Sequence, residues 1–414
     1  MFWKQYSNKE IKEIIFNALK QNVNYRKEPV LGIPGSHLDS LTFYDAPFLK
    51  ESPFITSLIE NSNHIGCHTL VSSESAFSGT QDIEKDLIRI CAEEILSGNK
   101  DKQDGYISSG GTEANIQAMW IYRNYFLEEF NAKRNEISVI FSEDTHYSIP
   151  KGVNMLNLNS LILKVDKKNR QIKLDLLQKD IKSAQNNGVK YFIVILNMAT
   201  TMFGSVDDIN GVTNILKKQK SNYKVHIDGA FGGFIYPFTN LKNYYNFQNP
   251  EITSFSLDAH KMLQAPYGTG IFLVRKGYMK YVLTKEAEYI NGKDHTICGS
   301  RSGANAIAVW IILHMYGSEG WLNKMVSINN RTNRFCDRLD ELNISYYRNP
   351  YINLVAISSK EISQELARKF YLVPDSYNGD QSWWKIVVMD HVKDVLLDKF
   401  ILNLQQYKSE KKSG

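Results

Sequence analysis

The sequence predicts an α/β protein: a mostly parallel sheet covered by helices on both faces, followed by a smaller C-terminal α/β domain. Short apolar runs at 105–108, 138–141, Tyr191–Asn197, 224–228, 253–257 and 270–274 have the length and continuity of strands buried on both faces. Helical patterns at 112–130, 175–186 and 208–219 fall among them, and strand–helix alternation of that kind builds a parallel sheet. After about residue 300 the pattern changes, and helical and strand patterns there suit a second, smaller α/β unit.

In chain order, an amphipathic helix spans Asn8–Gln21. The Pro-, Ser- and aromatic-rich stretch GIPGSHLDSLTFYDAPFLKESPF that follows has no periodicity, as expected of an arm laid over another surface. Ser78, Gly79 and Thr80 open a helix whose Ile83, Leu87, Ile90, Cys91 and Ile95 form one apolar stripe. The long helix at 112–130 follows directly on the strand at 105–108. Beyond residue 300 come helices at 304–316 and 321–339, a strand at 353–357, a helix at 359–371, a strand at 384–389 and a C-terminal helix. The tail KSEKKSG is expected to be solvated and frayed. The expected divisions are an N-terminal arm (1–80), a large domain (81–298) and a small C-terminal domain (299–414).

Composition narrows the class of function. A chain of 414 residues with 43% hydrophobic and 22% charged residues buries a substantial core and is not a disordered polymer. A net charge of +5 over that length is too weak to argue for nucleic acid. Cys67, Cys91, Cys298 and Cys336 have neither C-x-x-C nor zinc-ligand spacing, so free thiols and no metal site are expected. The N-terminus MFWKQYSNKEIKEIIF lacks a signal-peptide core, and no apolar stretch approaches the ~20 residues that span a bilayer. A cytoplasmic protein that binds neither membrane nor nucleic acid is the expectation.

Three constellations carry chemistry. Ser108-Ser109-Gly110-Gly111-Thr112-Glu113-Ala114-Asn115 follows a strand and opens a helix; glycines admit an anion closely, and the helix start supplies free N–H groups with the positive end of its dipole. An ordinary N-cap reads the same way. His226-Ile227-Asp228-Gly229-Ala230 ends a strand, where parallel sheets open their ligand crevice, so Asp228 is a carboxylate there or else a turn cap. Ser256-Leu257-Asp258-Ala259-His260-Lys261 delivers a lysine to the same edge. A phosphate cradle, a crevice carboxylate and a crevice lysine together meet the needs of pyridoxal 5′-phosphate: a Schiff-base amine, a partner for the ring nitrogen and a phosphate anchor.

With these residues, the chain resembles the group II pyridoxal-phosphate-dependent amino acid decarboxylases, especially the bacterial histidine decarboxylase and plant serine decarboxylase branch. The motifs run in the family's order: SGGTEAN (109–115), DTHYS (144–148), ATTMFGSVDDI (199–209), HIDGAFGG (226–233), HK (260–261) and GSRSG (299–303). The resemblance implies the PLP-dependent transferase fold type I, aspartate aminotransferase-like, in a homodimer with shared active sites. It makes Lys261 the Schiff-base lysine and Asp228 the partner of the ring nitrogen. His146 would stack on the ring and Ala230 pack beneath it. Gly110, Gly111 and Thr112 would bind phosphate with Ser256 or His260 beside them, and Thr200 or Thr201 would lie near the ring hydroxyl or the substrate carboxylate. The segment 286–303 matches a piece that family members lend to the neighbouring subunit; from it Arg301 would fix a phosphate or carboxylate, and Tyr289 would supply or shield a proton. His260, His146 and Tyr289 are the candidate proton donors, and His37 of the arm is a candidate lining residue for the substrate.

The implied reaction is loss of CO2 from a polar, histidine- or serine-like L-amino acid. QAPYGTG at 264–270 departs from that branch and keeps a carbon–carbon lyase of the sphingosine-phosphate type open as the alternative. An inactive cofactor-binding scaffold is the third reading, and the presence of Lys261 and Asp228 argues against it.

Overall fold

The computed structural model describes residues 2–21, 56–58, 63–64, 75–284 and 292–413. Its centre is a seven-stranded sheet of β1 (Gln103–Ser108), β2 (Ile137–Ser142), β3 (Asn159–Leu163), β4 (Tyr191–Asn197), β5 (Asn222–Gly229), β6 (Ile252–Asp258) and β7 (Gly270–Arg275), in the order β1-β7-β6-β5-β4-β2-β3. β2 through β6 pair in parallel, and β7 runs against both of its neighbours. Apolar residues alternate between two cores across the sheet: in β4, Phe192, Val194 and Leu196 enter one, and Tyr191, Ile193 and Ile195 the other. Both faces are therefore dry, which is why the strands read as unbroken apolar runs. β3 is the exception. It is an edge strand, largely exposed, with the sequence NSLIL, and its weak pattern hid it from the sequence reading.

Helices cover both faces. α1 (Asn8–Gln21) starts on a reciprocal cap, with Ser7 N donating to Glu10 Oε2 at 2.8 Å and Glu10 N donating to Ser7 Oγ at 3.2 Å. α2 (Ser78–Arg89) continues into a π-helical turn, Ile90–Ile95, and buries the whole predicted stripe. α3 (Gly111–Phe130) lies on the face of Tyr191 and Ile193. α4 (Ser148–Met155) follows β2, whereas α5 (Leu174–Asn186) and α6 (Ile209–Lys218) cover the opposite face through Leu177, Ile181, Val212 and Leu216.

The helices expected at 304–316 and 321–339 are halves of one bent rod, α7 (Gly303–Glu341), broken at Gly317 with φ 62°. A side chain at Gly317 would put its Cβ 2.6 Å from Gln5 Cβ, because residues 2–6 run against the bend; Trp3 Nε1 donates to Leu313 O at 2.7 Å there. The first half of α7 packs into the large core through Ala306, Ile307, Val309 and Leu313. Its far end, Phe335 and Leu339, belongs to the small core. That second unit is an antiparallel sheet of β8 (Tyr346–Tyr347), β9 (Leu354–Ser358), β10 (Val373–Pro374) and β11 (Trp383–Val387), in the order β8-β9-β11-β10. The helix expected at 359–371 is shorter, α8 (Gln364–Lys369), because Ser363 caps it late by accepting from Leu366 N. α9 (Asp394–Ser413) runs through most of the tail expected to fray. No helix of the described residues is long and apolar enough to cross a membrane.

Candidate active site

β1, β2, β4, β5 and β6 end on one side of the sheet, where a cavity of about 520 Å³ opens. Pairing sets Asn197, Asp228 and Ser256 abreast at that edge. Asp228 is fixed by three donors: Asn115 Nδ2 at 2.9 Å to Oδ2, and Ala230 N at 3.1 Å and Ser256 Oγ at 3.4 Å to Oδ1. Across the cavity, the turn after β6 brings Lys261 Nζ to 3.4 Å from Asp258 Oδ2. Burial raises the pKa of Asp258, and Lys261 and His260 oppose that rise. Asp258 Oδ1 and His260 Nδ1 are 3.2 Å apart, both buried, yet neither has an aligned hydrogen-bond partner.

The start of α3 forms the third wall. A Cβ on Gly111 would lie 3.0 Å from Ala230 Cβ and 3.2 Å from Asp258 Oδ2, so a side chain there would fill the cradle. His146, after β2, has Nδ1 3.0 Å from Ser148 Oγ, and burial lowers its pKa. The wall after β4 turns sharply: Ala199 has φ 76°, a strained value for a residue with a Cβ, held by Thr200 N donating to Ser205 O at 2.9 Å. The next carbonyl, Thr201 O, accepts from Lys385 Nζ of β11 at 3.1 Å. Lys385 is half-buried, has no carboxylate within ion-pair distance among the described residues, and has its pKa lowered by desolvation and then by Lys261.

The cavity thus gathers Lys261, Asp228, His146, Ala230, Gly110, Gly111, Thr112, Thr200, Thr201 and His260. One expectation needs correction. Ser256 is fully buried behind Asp228 and does not line the cavity; it acts on the Asp228 carboxylate rather than on a phosphate. Arg301 is buried, its guanidinium held by Glu84 and by Ile107 O at 3.1 Å and set over the Tyr106 ring, so it does not line its own chain's cavity; the role expected of it is in the neighbouring subunit's site. A buried arginine needs its acid, and Glu84 on α2 supplies it. His37 and Tyr289 lie outside the described residues.

The sequence reading missed Asn115, Asn197 and Lys385. Asn115 stands four residues after Gly111, on the same face of α3, and that spacing was the available signal. Asn197 ends a strand beside Asp228, and its Nδ2 donates to Thr145 Oγ1 at 2.9 Å. Lys385 comes from the small sheet, which no local pattern ties to this edge.

A lysine facing an ionisable carboxylate across a cavity, with a glycine cradle at a helix start between them, fits an aromatic ring bearing an aldehyde, a basic nitrogen and a phosphate. The pyridoxal-dependent decarboxylase conserved domain matches residues 82–347. The chain belongs to the pyridoxal-dependent decarboxylase family. It is a carboxy-lyase that uses pyridoxal 5′-phosphate on amino acids. It is 47% identical over 410 residues to the tryptophan decarboxylase of Clostridium sporogenes, covering 99% of this chain and 98% of that protein. Identity to the histidine decarboxylase of Vibrio campbellii is 30% over 331 residues, 78% of this chain and 80% of that protein. Among solved structures, Oryza sativa TDC with PLP and tryptamine superposes with a TM-score of 0.71 at 14% identity, over 82% of this chain and 78% of that one. The family is as the motifs indicated, but the match to a tryptophan decarboxylase does not support the histidine and serine branch.

Proposed function

We propose that this enzyme decarboxylates an aromatic L-amino acid, with tryptophan as the preferred substrate, to the amine and CO2. The observation that carries this reading is the 47% identity to a tryptophan decarboxylase along nearly the full length of both chains. The cavity is compatible with it. Tyr147, Phe231 and Tyr267 contribute aromatic surface, and Lys261 is the sole Lys or Arg among the described lining residues, which leaves no lining cation to recognise an acidic side chain.

The bound cofactor supplies an electron sink for the bond between Cα and the carboxylate. The chain's own residues do the rest. Lys261 Nζ would hold the cofactor covalently, Asp228 would face its ring nitrogen, and the start of α3 would take its phosphate. His146 and Ala230 would sandwich the ring. Lys385, unpaired with any described carboxylate and joined to the cavity wall through Thr201 O, is suited to draw the substrate's α-carboxylate to that side. We further propose a homodimer whose active sites are completed by the neighbouring copy through the segment around Tyr289. Support for this is the match of residues 286–303 to the piece that family members exchange.

The test is a panel of L-amino acids assayed for both CO2 and amine. Tryptophan should give the highest kcat/KM, with histidine and aspartate at least about 100-fold below it, the discrimination expected between a large apolar and a small charged side chain. A preference for histidine or aspartate would refute the substrate reading. Aldehyde in place of amine would refute the reaction.

A further inference from the structure

We propose that Asn115 is a positioning residue that orients two active-site side chains at once. Its amide ends a one-way chain of buried hydrogen bonds on the Asp228 carboxylate and, through a branch, keeps His146 proton-free on Nδ1. The direction of the chain follows from chemistry. An ionised Asp228 only accepts, so the Asn115 atom 2.9 Å from Oδ2 is its NH2 group. The amide oxygen then faces His226 Nε2 at 2.9 Å, and that nitrogen must carry the proton. A neutral histidine has only one N–H, so His226 Nδ1 accepts from Ser254 Oγ at 2.6 Å. Ser254, having spent its proton, accepts from Tyr122 OH. Donation therefore runs Tyr122, Ser254, His226, Asn115, Asp228. Every member is buried, with Ser254, His226 and Tyr122 fully so. Burial also drives the His226 pKa down to about 4, which keeps the ring neutral as the chain requires.

The branch uses the second amide proton. Asn115 Nδ2 is 3.0 Å from Ser148 Oγ, and Ser148 Oγ is 3.0 Å from His146 Nδ1. Accepting from Asn115 leaves the serine's own proton free to point at His146. The backbone N–H of Ser148 also donates to that same Nδ1, at 3.3 Å, so Nδ1 is an acceptor on two counts. His146 therefore offers the cavity one proton, on Nε2. A second proton on Nδ1 would meet an N–H head-on. A neutral imidazole that surrenders its Nε2 proton becomes a strongly basic anion, so His146 is arranged to donate a hydrogen bond and to pack, not to protonate Cα. Another group must deliver that proton.

This inference rests on Asp228 facing the ring nitrogen only for its consequence, not for the chain itself. The test is 15N NMR of histidine-labelled protein, with and without pyridoxal 5′-phosphate, combined with cofactor titration. His226 and His146 should each show an unprotonated Nδ1 and a protonated Nε2 in both forms. In Asn115→Ala both signals should move, and cofactor affinity should fall about 10- to 100-fold, the worth of a buried donor to a charged group. Should Asn115→Ala not fold, Ser254→Ala, which leaves every direct contact of Asp228 in place, should shift the His226 Nδ1 signal by removing its donor while Asn115 keeps the proton on Nε2; a proton that moves to Nδ1 there overturns the role of Asn115. A proton on His226 Nδ1 or on His146 Nδ1 in the wild type overturns the chain or its branch. Unchanged histidine signals and unchanged affinity in the variants overturn the role of Asn115. Asp228→Asn separates the two readings: unchanged affinity there refutes the ring-nitrogen assignment and leaves the chain standing.

Discussion

Replacing Lys385 by Met removes one charge while keeping an unbranched stem of similar length. Lys385 Nζ donates to Thr201 O, lies in the field of Lys261 and has no described carboxylate to neutralise it. If it receives the substrate carboxylate, one charge-assisted hydrogen bond is lost, about 2 kcal/mol, or about a 30-fold rise in KM. The effect on kcat should be small. Negative charge leaves the carboxylate as CO2 departs, so a cation there holds the ground state at least as strongly as the transition state. Steady-state kinetics on tryptophan, with inhibition by the product amine in parallel, reads both quantities. The amine has no carboxylate, so its inhibition constant should be unchanged within about threefold, and Lys385→Arg should restore most of the KM. An unchanged KM would refute the reasoning, as would equal losses of amino acid and amine binding, since a clip that merely ties β11 to the turn at Thr201 would weaken both.

Other expectations follow from charges whose surroundings are defined. Asp228→Asn should lower kcat about 100- to 1,000-fold with the fold intact by circular dichroism, because the cofactor's ring nitrogen loses its anionic partner. His226 is neutral in the folded protein down to about pH 4, whereas in the unfolded chain it titrates near 6.5, so its contribution is intact above pH 6.5 and is lost as the pH falls toward 4. That amounts to about 2 kcal/mol between pH 7 and pH 5, so the wild-type Tm should fall about 2 °C further than that of His226→Gln over this range. Parallel curves would refute the assignment. Arg301→Met should lower Tm by about 4 °C by stranding Glu84, and Glu84→Leu with Arg301→Met should recover most of it, with KM for the amino acid unchanged throughout. A KM effect of Arg301→Met alone would return Arg301 to the substrate.

Much of this architecture was legible because it is local. The strands of the sheet are dry on both faces and announce themselves as apolar runs; Gly111 is needed where any Cβ would meet Ala230 and Asp258; Asp228 and Lys261 sit just past strand ends, where a parallel sheet opens. What escaped depends on which surfaces meet. β3 is an exposed edge with no dry face to select apolar residues. The two helices expected beyond residue 303 read correctly as two hydrophobic periods, but their fusion into α7 is decided by residues 2–6 filling the bend at Gly317.

The cations illustrate the same division. Arg301 lies in a recognisable motif, and the sequence reading therefore sent it to a phosphate or carboxylate. Glu84 lies one residue after Ile83 in the apolar stripe of α2, and a carboxylate that close to a buried face must find a base. The arginine of GSRSG satisfies it, and so it is unavailable for chemistry in its own chain. Lys385 is the converse: an unremarkable residue in an alternating strand, made significant because the small sheet docks against the turn after β4 and leaves its ammonium without an acid partner among the described residues. A buried pair accounts for its own charge, whereas a partly desolvated cation without an acid is a candidate for a ligand. On that basis we propose Lys385, which lies outside the recognised motifs, rather than Arg301 of the same chain as the charge that meets a substrate carboxylate.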